Sequence, residues 1–331
     1  MEPTFIRGVQ YSDLSSLNTL EICVPSGGHL SNDKSKIWVI FIHGGAWRDP
    51  TKLEDIFDKS INLLLASPVA SHIAAFASIG YRLSPHTTHP LQPQDPNDPS
   101  RNAHHPDHVN DVLDALAYLQ RSYGFGDRYV LAGHSAGATL AFQVCIAREW
   151  AAFGPHESGE HDDAGKASTE PAKVVLPPRA VLGLEGIYDI AALIAYHASR
   201  PYSEIYNAFI DSAFGPRYQR QLRRPQAQEG GETDVWKTVS PTTGLYDSSW
   251  KEGKLVVLAH SRQDELVEWE QVELMREALV RQGWGETENG GRRVEMLELK
   301  GLHDQVVNEG VEVARAVQKT VEMLAASATT S

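Results

Sequence analysis

The stretch "YVLAGHSAGATLAFQVC", residues 129–145, decides how this chain folds. Apolar residues that suit a buried strand come first, and helix-forming residues come last. Between them, "GHSAG" at residues 133–137 matches the pattern G-x-S-x-G. Glycines on both sides of the serine permit a sharp strand-to-helix turn, because neighbouring backbone can pass without a clash, and this turn lifts the serine hydroxyl above the sheet. The stretch therefore predicts Ser135 as a nucleophile.

Strand-like and helix-like runs alternate along the rest of the chain. The strand-like runs lie at about 18–24, 36–42 and 73–83, and strand-then-loop units lie at about 179–190, 254–267 and 293–305. Helical periodicity appears at about 53–65, 109–119, 268–283 and 307–326. Apolar runs of this kind suit strands that are covered on both faces. The alternation predicts a doubly wound α/β fold with a mostly parallel central sheet and helices on both faces.

Three segments interrupt this pattern and read as loop insertions in a single domain of residues 1–331. They lie at about 86–108, 154–173 and 217–243. The first is rich in proline and histidine, and its irregular histidine spacing favours a solvated loop over a metal site. The second is polar with little to bury, so we expect it to be mobile. The third carries Trp236 and could cover a site as a cap.

Composition excludes several classes of partner. The chain has 43 acidic and 30 basic residues, and its formal net charge of -13 repels polyphosphate, so we expect no nucleic-acid partner. Cys23 and Cys145 are the only cysteines, which fits a reducing compartment. No apolar run approaches the ~18 residues of a spanning helix. We expect a soluble cytoplasmic protein with no membrane partner; a homodimer is compatible with the sequence.

A serine nucleophile needs a base, and the base needs an orienting carboxylate. In one known arrangement these three groups occur along the chain in the order serine, acid, histidine, and each lies in a loop that follows a strand. Asp264 and His303 follow two successive strand-like runs in this order. Asp189 is a rival acid, although a turn or helix cap is its simpler interpretation. His260 lies too early in the order and is expected to pack in its strand.

The run "IWVIFIHGGAW", residues 37–47, predicts the site that stabilises negative charge. Acyl transfer places charge on a carbonyl oxygen, which backbone N–H groups can bind. The N–H groups of Gly44 and Gly45, together with that of Ala136 after the nucleophile, are the expected donors. His43 is expected to fix the loop by hydrogen bonding. Trp47 could pack under the loop or form a wall of the substrate pocket.

These motifs together resemble the α/β-hydrolase superfamily, its hormone-sensitive-lipase-like branch of esterases and, within it, the fungal kynurenine formamidase (arylformamidase) family. The resemblance rests on "HGGAW", "GHSAGATLAFQ", "GIYDI", the Asp264 loop and "GLHD", and it spans about residues 20–310. Ala46 replaces the third glycine of the generic esterase motif. This departure disfavours a broad esterase but fits the family's H-G-G-x-W.

The resemblance implies an α/β-hydrolase fold that hydrolyses N-formyl-L-kynurenine to L-kynurenine and formate, without a metal or an organic cofactor. Ser135 would attack the formyl carbon, His303 would be the base and Asp264 would hold its tautomer. Tyr188 and Trp236 are candidates for the aromatic wall of the pocket. Two alternatives stay open: a carboxylesterase of small acyl or aryl esters with the same residues, and a non-catalytic hydrolase fold that binds a ligand.

Overall fold

The central feature of the protein is an eight-stranded sheet. The computed structural model describes residues 2–25, 30, 33–146, 175–199, 202–222, 235–285 and 291–328. The strands are β1 (Thr4–Gln10), β2 (Thr19–Val24), β3 (Ile37–Ile42), β4 (Ile73–Ile79), β5 (Tyr129–His134), β6 (Ala180–Leu184), β7 (Leu255–Ser261) and β8 (Arg293–Leu299). Their order across the sheet is β1-β2-β4-β3-β5-β6-β7-β8.

The strands from β4 to β8 across the sheet pair in parallel, whereas β2 pairs antiparallel with both β1 and β4. Strands β3 and β5 are buried along their whole length, which explains their continuous apolar sequences. The edge strand β1 was not predicted. It is largely exposed and has no apolar run, so its sequence carries little signal.

Helices cover both faces of the sheet, as the sequence predicts. They are α1 (Asp58–Leu65), α2 (Asp107–Tyr123), α3 (Ala136–Cys145), α4 (Ile190–His197), α5 (Ser203–Leu222), α6 (Tyr246–Ser249), α7 (Glu270–Val280), α8 (His303–Glu309) and α9 (Val311–Ala328). One buried core lies between the sheet and helices that include α2, α3 and α7. A second core lies on the opposite face under α1 and α9. The predicted closing helix is two helices, because Gly310 adopts a φ of +76 between them.

The three predicted insertions differ in how much of each is described. The first is an irregular segment with a short 3-10 turn at Pro99–Arg101 that leads into α2. Its interpretation as a solvated loop holds only in part: residues such as Leu91 are exposed, whereas three of its five histidines, His89, His105 and His108, are buried. The second, at 154–173, lies outside the described residues. Of the third, the end of α5 and the turns at 235–243 are described.

Because β3, β5, β6, β7 and β8 run in parallel, their carboxyl ends meet at one edge of the sheet. The residues that follow these ends are the loop at 43–47, Ser135, Glu185, the loop around Asp264 and His303. This edge is where the candidate site lies. Across the described residues, no helix is both long enough and apolar enough to cross a membrane.

Candidate active site

Ser135 lies in a strained turn between β5 and α3. Its φ is +54 and its ψ is -121, a conformation that non-glycine residues rarely adopt. The flanking glycines are required by space: a Cβ on Gly133 would lie 2.2 Å from the Gly137 carbonyl oxygen, and one on Gly137 would lie 2.2 Å from the Ile42 carbonyl oxygen. This is the turn that G-x-S-x-G predicts. Backbone strain held by close packing is a common property of functional sites.

The structure brings Asp264 and His303 into contact, although 38 residues separate them. Nδ1 of His303 lies 2.8 Å from Oδ2 of Asp264. His303 begins α8 after a short turn that follows β8, and its side chain packs against that of His134, with the ring centroids 4.6 Å apart. His134 directly precedes Ser135. The acid, the imidazole and the serine therefore come together at one edge of the sheet.

Asp264 is also held by its own loop. Its Oδ1 accepts the backbone N–H groups of Leu266 and Val267 at 2.9 and 2.8 Å. This leaves Oδ2 for His303, with Nε2 of His260 at 3.4 Å. His260 is buried in β7, and the same nitrogen donates to the Val267 carbonyl at 2.9 Å. His260 therefore supports the acid loop, in keeping with the packed role expected from its position.

Asp189 has a different role from Asp264. Its Oδ1 accepts the backbone N–H of Ala192 at 3.0 Å, so it caps the N-terminus of α4. Its Oδ2 accepts the hydroxyl of Thr242 at 3.0 Å. Both carboxylate oxygens are thus engaged away from His303. The geometry matches the helix-cap interpretation of this residue.

The loop at residues 43–47, called the glycine loop below, lies directly against the serine. A Cβ on Gly44 would lie 3.1 Å from the Ser135 Cβ and 2.9 Å from Nδ1 of His134. Gly45, Ala46 and Trp47 have φ values of +86, +49 and +59. Only Gly45 adopts such a backbone without strain, so surrounding contacts must hold the other two residues.

Two side chains hold the glycine loop by its carbonyl groups. Nδ1 of His43 donates to the Gly44 carbonyl at 3.0 Å, and burial lowers the pKa of His43 to about 4, so the ring is neutral. The hydroxyl of Tyr81 donates to the carbonyls of both His43 and Gly44, at 3.1 and 3.2 Å, and its ring stacks on that of His43. His43 thus has the expected geometry, whereas Tyr81 was not singled out from the sequence.

The backbone N–H groups near Ser135 are available to a ligand. In the described part of the chain, the N–H groups of Gly44, Gly45 and Ala136 have no hydrogen-bond acceptor. Ala136 is the first residue of α3, where a helix leaves its N–H groups unbonded and carries a partial positive charge. Unbonded N–H groups in the loop that packs against Ser135 and in the residue that follows it are suitable donors to an oxyanion.

Glu185 is a further residue of the site that sequence reasoning missed. It follows β6, has a φ of +49 and is completely buried. Its Oε2 lies 3.2 Å from Nε2 of His134 and 3.8 Å from Nδ1 of His303. Burial and the charge of Asp264 raise the pKa of Glu185 to about 10. Its position directly after a buried strand, in "GLEGI", was the available signal.

His134, Glu185 and His303 are the only cluster among the described residues whose ligand atoms could hold a metal ion, since one atom from each lies within 4.8 Å of the others. Zinc accepts these ligand types. Nδ1 of His303 already pairs with Asp264 at 2.8 Å, so a metal on that nitrogen would compete with this hydrogen bond. The contact between His134 and Glu185 accounts for the cluster without an ion.

The three aromatic residues predicted for the pocket occupy different places. Tyr188 is completely buried with its ring against Phe142, so it is a core residue with no surface open to a ligand. Trp47 is buried against Phe209 and Phe214, which agrees with the packing interpretation under the glycine loop. Trp236 is partly buried and also contacts Phe214, so it lies in the same aromatic cluster as Trp47.

Comparison with known proteins agrees with this geometry. A family model described as "Alpha/beta hydrolase family" matches residues 39–297. A kynurenine formamidase-like hydrolase of Fusarium equiseti is 35% identical over 96% of this chain and 93% of its own length. A kynurenine formamidase of Aspergillus versicolor is 35% identical over 78% of this chain and 80% of its own length.

Among solved structures, esterase B from Lactobacillus Rhamnosis matches with a TM-score of 0.61 at 16% identity, over 98% of this chain and 87% of the esterase. At this identity the likeness concerns the fold alone. The family model and the two fungal relatives go further, because they cover most of the sequence. The chain therefore belongs to the α/β-hydrolase family and, within it, to the fungal kynurenine formamidase group.

Proposed function

We propose that this protein is a kynurenine formamidase, which hydrolyses N-formyl-L-kynurenine to L-kynurenine and formate in tryptophan catabolism. The observation that carries the proposal is the assembly of Ser135, the Asp264–His303 pair and the three free N–H groups at one edge of the sheet. The fungal relatives named kynurenine formamidase support the choice of substrate.

The proposed reaction follows from the chemistry of these groups. Ser135 Oγ attacks the formyl carbon while Nε2 of His303 takes its proton, and Asp264 stabilises the imidazolium through Nδ1. The oxygen of the tetrahedral intermediate accepts hydrogen bonds from Gly44, Gly45 and Ala136. His303 then returns the proton to the departing aryl amine, which leaves as L-kynurenine. Water, activated by the same imidazole, releases formate from the formyl-serine.

Arg48 is a suitable group to bind the amino-acid carboxylate of the substrate. It follows the glycine loop directly, and its backbone N–H donates to the Gly45 carbonyl at 2.9 Å. Burial lowers the pKa of its guanidinium, which lies 6.0 Å from the centroid of the Phe209 ring. Among the described residues no carboxylate forms an ion pair with it. The charge of Asp49 acts on this guanidinium without forming a direct ion pair with it, and a partly buried cation whose N–H groups are not bound to a carboxylate favours an anionic ligand.

The aromatic cluster beside Arg48 is suited to an aryl substrate. Phe209 lies 5.3 Å from Tyr206 between ring centroids, and the buried Trp47 packs against Phe209 at 6.2 Å and supports it from the core. A cation next to aromatic surface matches a molecule that joins an aryl ring to an amino acid. A simple ester makes no use of such a cation. This difference favours formylkynurenine over the alternative, a carboxylesterase of small esters.

The remaining parts of the proposal concern the context of the enzyme. We propose that the chain is a single α/β-hydrolase domain that acts in the cytoplasm on a small molecule, with no nucleic-acid or membrane partner. The net charge of -13 and two buried free cysteines support this context. Analytical ultracentrifugation would decide whether the protein is a homodimer.

The test is a spectrophotometric assay that follows loss of N-formyl-L-kynurenine and appearance of kynurenine. Ser135→Ala should keep the fold and lose at least about four orders of magnitude in turnover, because the nucleophile acts as one unit with its base. The assay is repeated with p-nitrophenyl acetate. A clear preference for the ester in kcat/KM would discard the formamidase proposal but keep the serine hydrolase mechanism.

A further inference from the structure

Glu185 occupies a position that its backbone strongly constrains. It follows β6 with a φ of +49, and its N–H donates to the Ala259 carbonyl in β7 at 2.8 Å. A left-handed φ is destabilising for a non-glycine residue, so surrounding structure must hold Glu185 there. The result is that its carboxyl group points into the protein, between β5 and the start of α8.

The contacts of this carboxyl group are unusual for a structural residue. Oε2 lies between two imidazoles, 3.2 Å from Nε2 of His134 and 3.8 Å from Nδ1 of His303. Oε1 is buried and forms no hydrogen bond of normal geometry in the described structure, although the backbone N–H of Ser261 faces the carboxyl group. A buried oxygen without a good hydrogen bond is destabilising. Stability alone therefore does not explain a glutamate at this position.

The charges around Glu185 come from three elements. His134 faces it from β5, His303 and Asp304 from α8, and Asp264 and Glu265 from the loop after β7. Three of these groups are acidic, and their charges, together with burial, favour the protonated form of Glu185. Two carboxyl groups that share one imidazole cannot both ionise easily, so one of them keeps its proton.

We propose that Glu185 is the second carboxyl group of the Asp264–His303 pair, a positioning residue that orients His303 while protonated and becomes its carboxylate partner when Asp264 is removed. The proposal rests on the proposed roles of Ser135, Asp264 and His303, and it does not depend on the substrate. In the native protein, Glu185 keeps its proton on Oε2 and donates a hydrogen bond from it to Nε2 of His134. The ring of His134 in turn faces the backbone of His303 and packs against its imidazole, with the ring centroids 4.6 Å apart.

Loss of the Asp264 charge changes the state of Glu185. The Asp264 charge is the second cause, after burial, of the raised pKa of Glu185, so its removal lowers that pKa. Nδ1 of His303 is already 3.8 Å from Oε2, and a shift of about 1 Å forms a normal hydrogen bond. An ionised Glu185 would then hold the tautomer of His303 in place of Asp264.

The test is a double-mutant cycle with Asp264→Asn, Glu185→Gln and the combined variant. Glutamine keeps the shape of Glu185 and can donate to His134, so Glu185→Gln alone should lower kcat a few-fold. Asp264→Asn should lower kcat at least about a hundredfold, and adding Glu185→Gln should lower it at least a further thirtyfold. Each variant is checked by calorimetry, and Glu185→Met replaces the glutamine variant if that one does not fold.

A pH profile separates this role from a structural one. In Asp264→Asn, residual kcat should rise with pH as Glu185 loses its proton, and the combined variant should lack this rise. If Glu185→Gln lowers kcat by the same factor with and without Asp264, or leaves the pH profile of Asp264→Asn unchanged, the proposal is wrong.

Two further readouts keep this result separate from the proposed function. Activity is measured on both N-formyl-L-kynurenine and p-nitrophenyl acetate, together with the rate at which a fluorophosphonate labels the protein. Labelling that persists in Ser135→Ala would show that Ser135 is not the nucleophile. The proposed function and the role of Glu185 that rests on it would then both be wrong. If Ser135→Ala abolishes labelling but the effects of Asp264→Asn and Glu185→Gln on the free energy of activation are additive, only the proposed role of Glu185 is wrong and the serine nucleophile stands.

Discussion

His303 Nδ1 lies 2.8 Å from Asp264 Oδ2, while both side-chain oxygens of Asp189 are bound elsewhere. The two acids follow neighbouring strands, β6 and β7, and both looked suitable in the sequence. Hydrogen bonding separates them, because Asp264 reaches the imidazole and Asp189 caps a helix. Substitution of Asp264 should therefore reduce turnover strongly, whereas the same substitution of Asp189 should have little effect on turnover.

Asp264→Asn should lower kcat at least about a hundredfold, because the amide no longer stabilises the imidazolium and can hold the wrong tautomer. Asp189→Asn is the matched control and should change kcat less than about threefold, since asparagine caps helices as well as aspartate does. Steady-state assays on the two variants check this. A larger loss in Asp189→Asn would mean that Asp189 is the orienting acid.

Tyr81→Phe should lower kcat about tenfold with little change in KM. The hydroxyl donates hydrogen bonds to the carbonyls of His43 and Gly44. Without it, the N–H groups of the glycine loop are held less rigidly in the orientation that binds the oxyanion. The free energy of unfolding should also fall, by about 1–3 kcal/mol, because buried carbonyls lose a donor.

Tyr129→Phe is the control for this loss of stability. Tyr129 is buried in β5, and its hydroxyl donates to the Leu176 carbonyl at 2.9 Å, away from the glycine loop. It should lose similar stability in urea unfolding but keep its kcat. If both variants lose kcat equally, Tyr81 acts on stability and not on the loop.

The sequence was most informative where local chemistry is strict. A serine between two glycines at a strand end admits few backbone arrangements, so "GHSAG" predicted the turn around Ser135 and the start of α3. Continuous apolar runs predicted the strands β3 and β5, because a strand that is buried on both faces needs apolar residues at every position. The exposed strand β1 carried no such pattern and was missed.

Groups that act through long-range packing were beyond sequence reasoning. Tyr81 and Glu185 meet the site only because β4 and β6 end beside β3 and β5 in the folded sheet. Tyr188 is completely buried with its ring against Phe142, a direction that its place in the sequence did not reveal. Strand ends identify which loops meet, but the direction of each side chain depends on backbone angles such as the φ of +49 at Glu185.

Arg48→Gln should raise KM for N-formyl-L-kynurenine at least about tenfold, because a charge-assisted hydrogen bond to the substrate carboxylate is lost. Turnover of p-nitrophenyl acetate, which has no carboxylate, should fall far less. Arg281→Gln is the control, since Arg281 is exposed on the last turn after α7. Equal losses on both substrates would show that Arg48 supports the loop and does not bind the carboxylate.

The raised pKa of Glu185 predicts how stability depends on pH. Its folded-state pKa of about 10 lies above the ordinary value of 4.5, so the unfolded chain releases this proton at a lower pH than the folded protein does. The contribution of Glu185 to stability is therefore fully present below pH 4.5 and declines as pH rises towards 10. Glu185→Gln removes this titration, so its melting temperature relative to the native protein should increase from pH 5 to pH 9. Calorimetry on both proteins, with the exposed Glu252→Gln as control, measures this change. A constant difference across that range would mean that Glu185 is ionised in the folded protein.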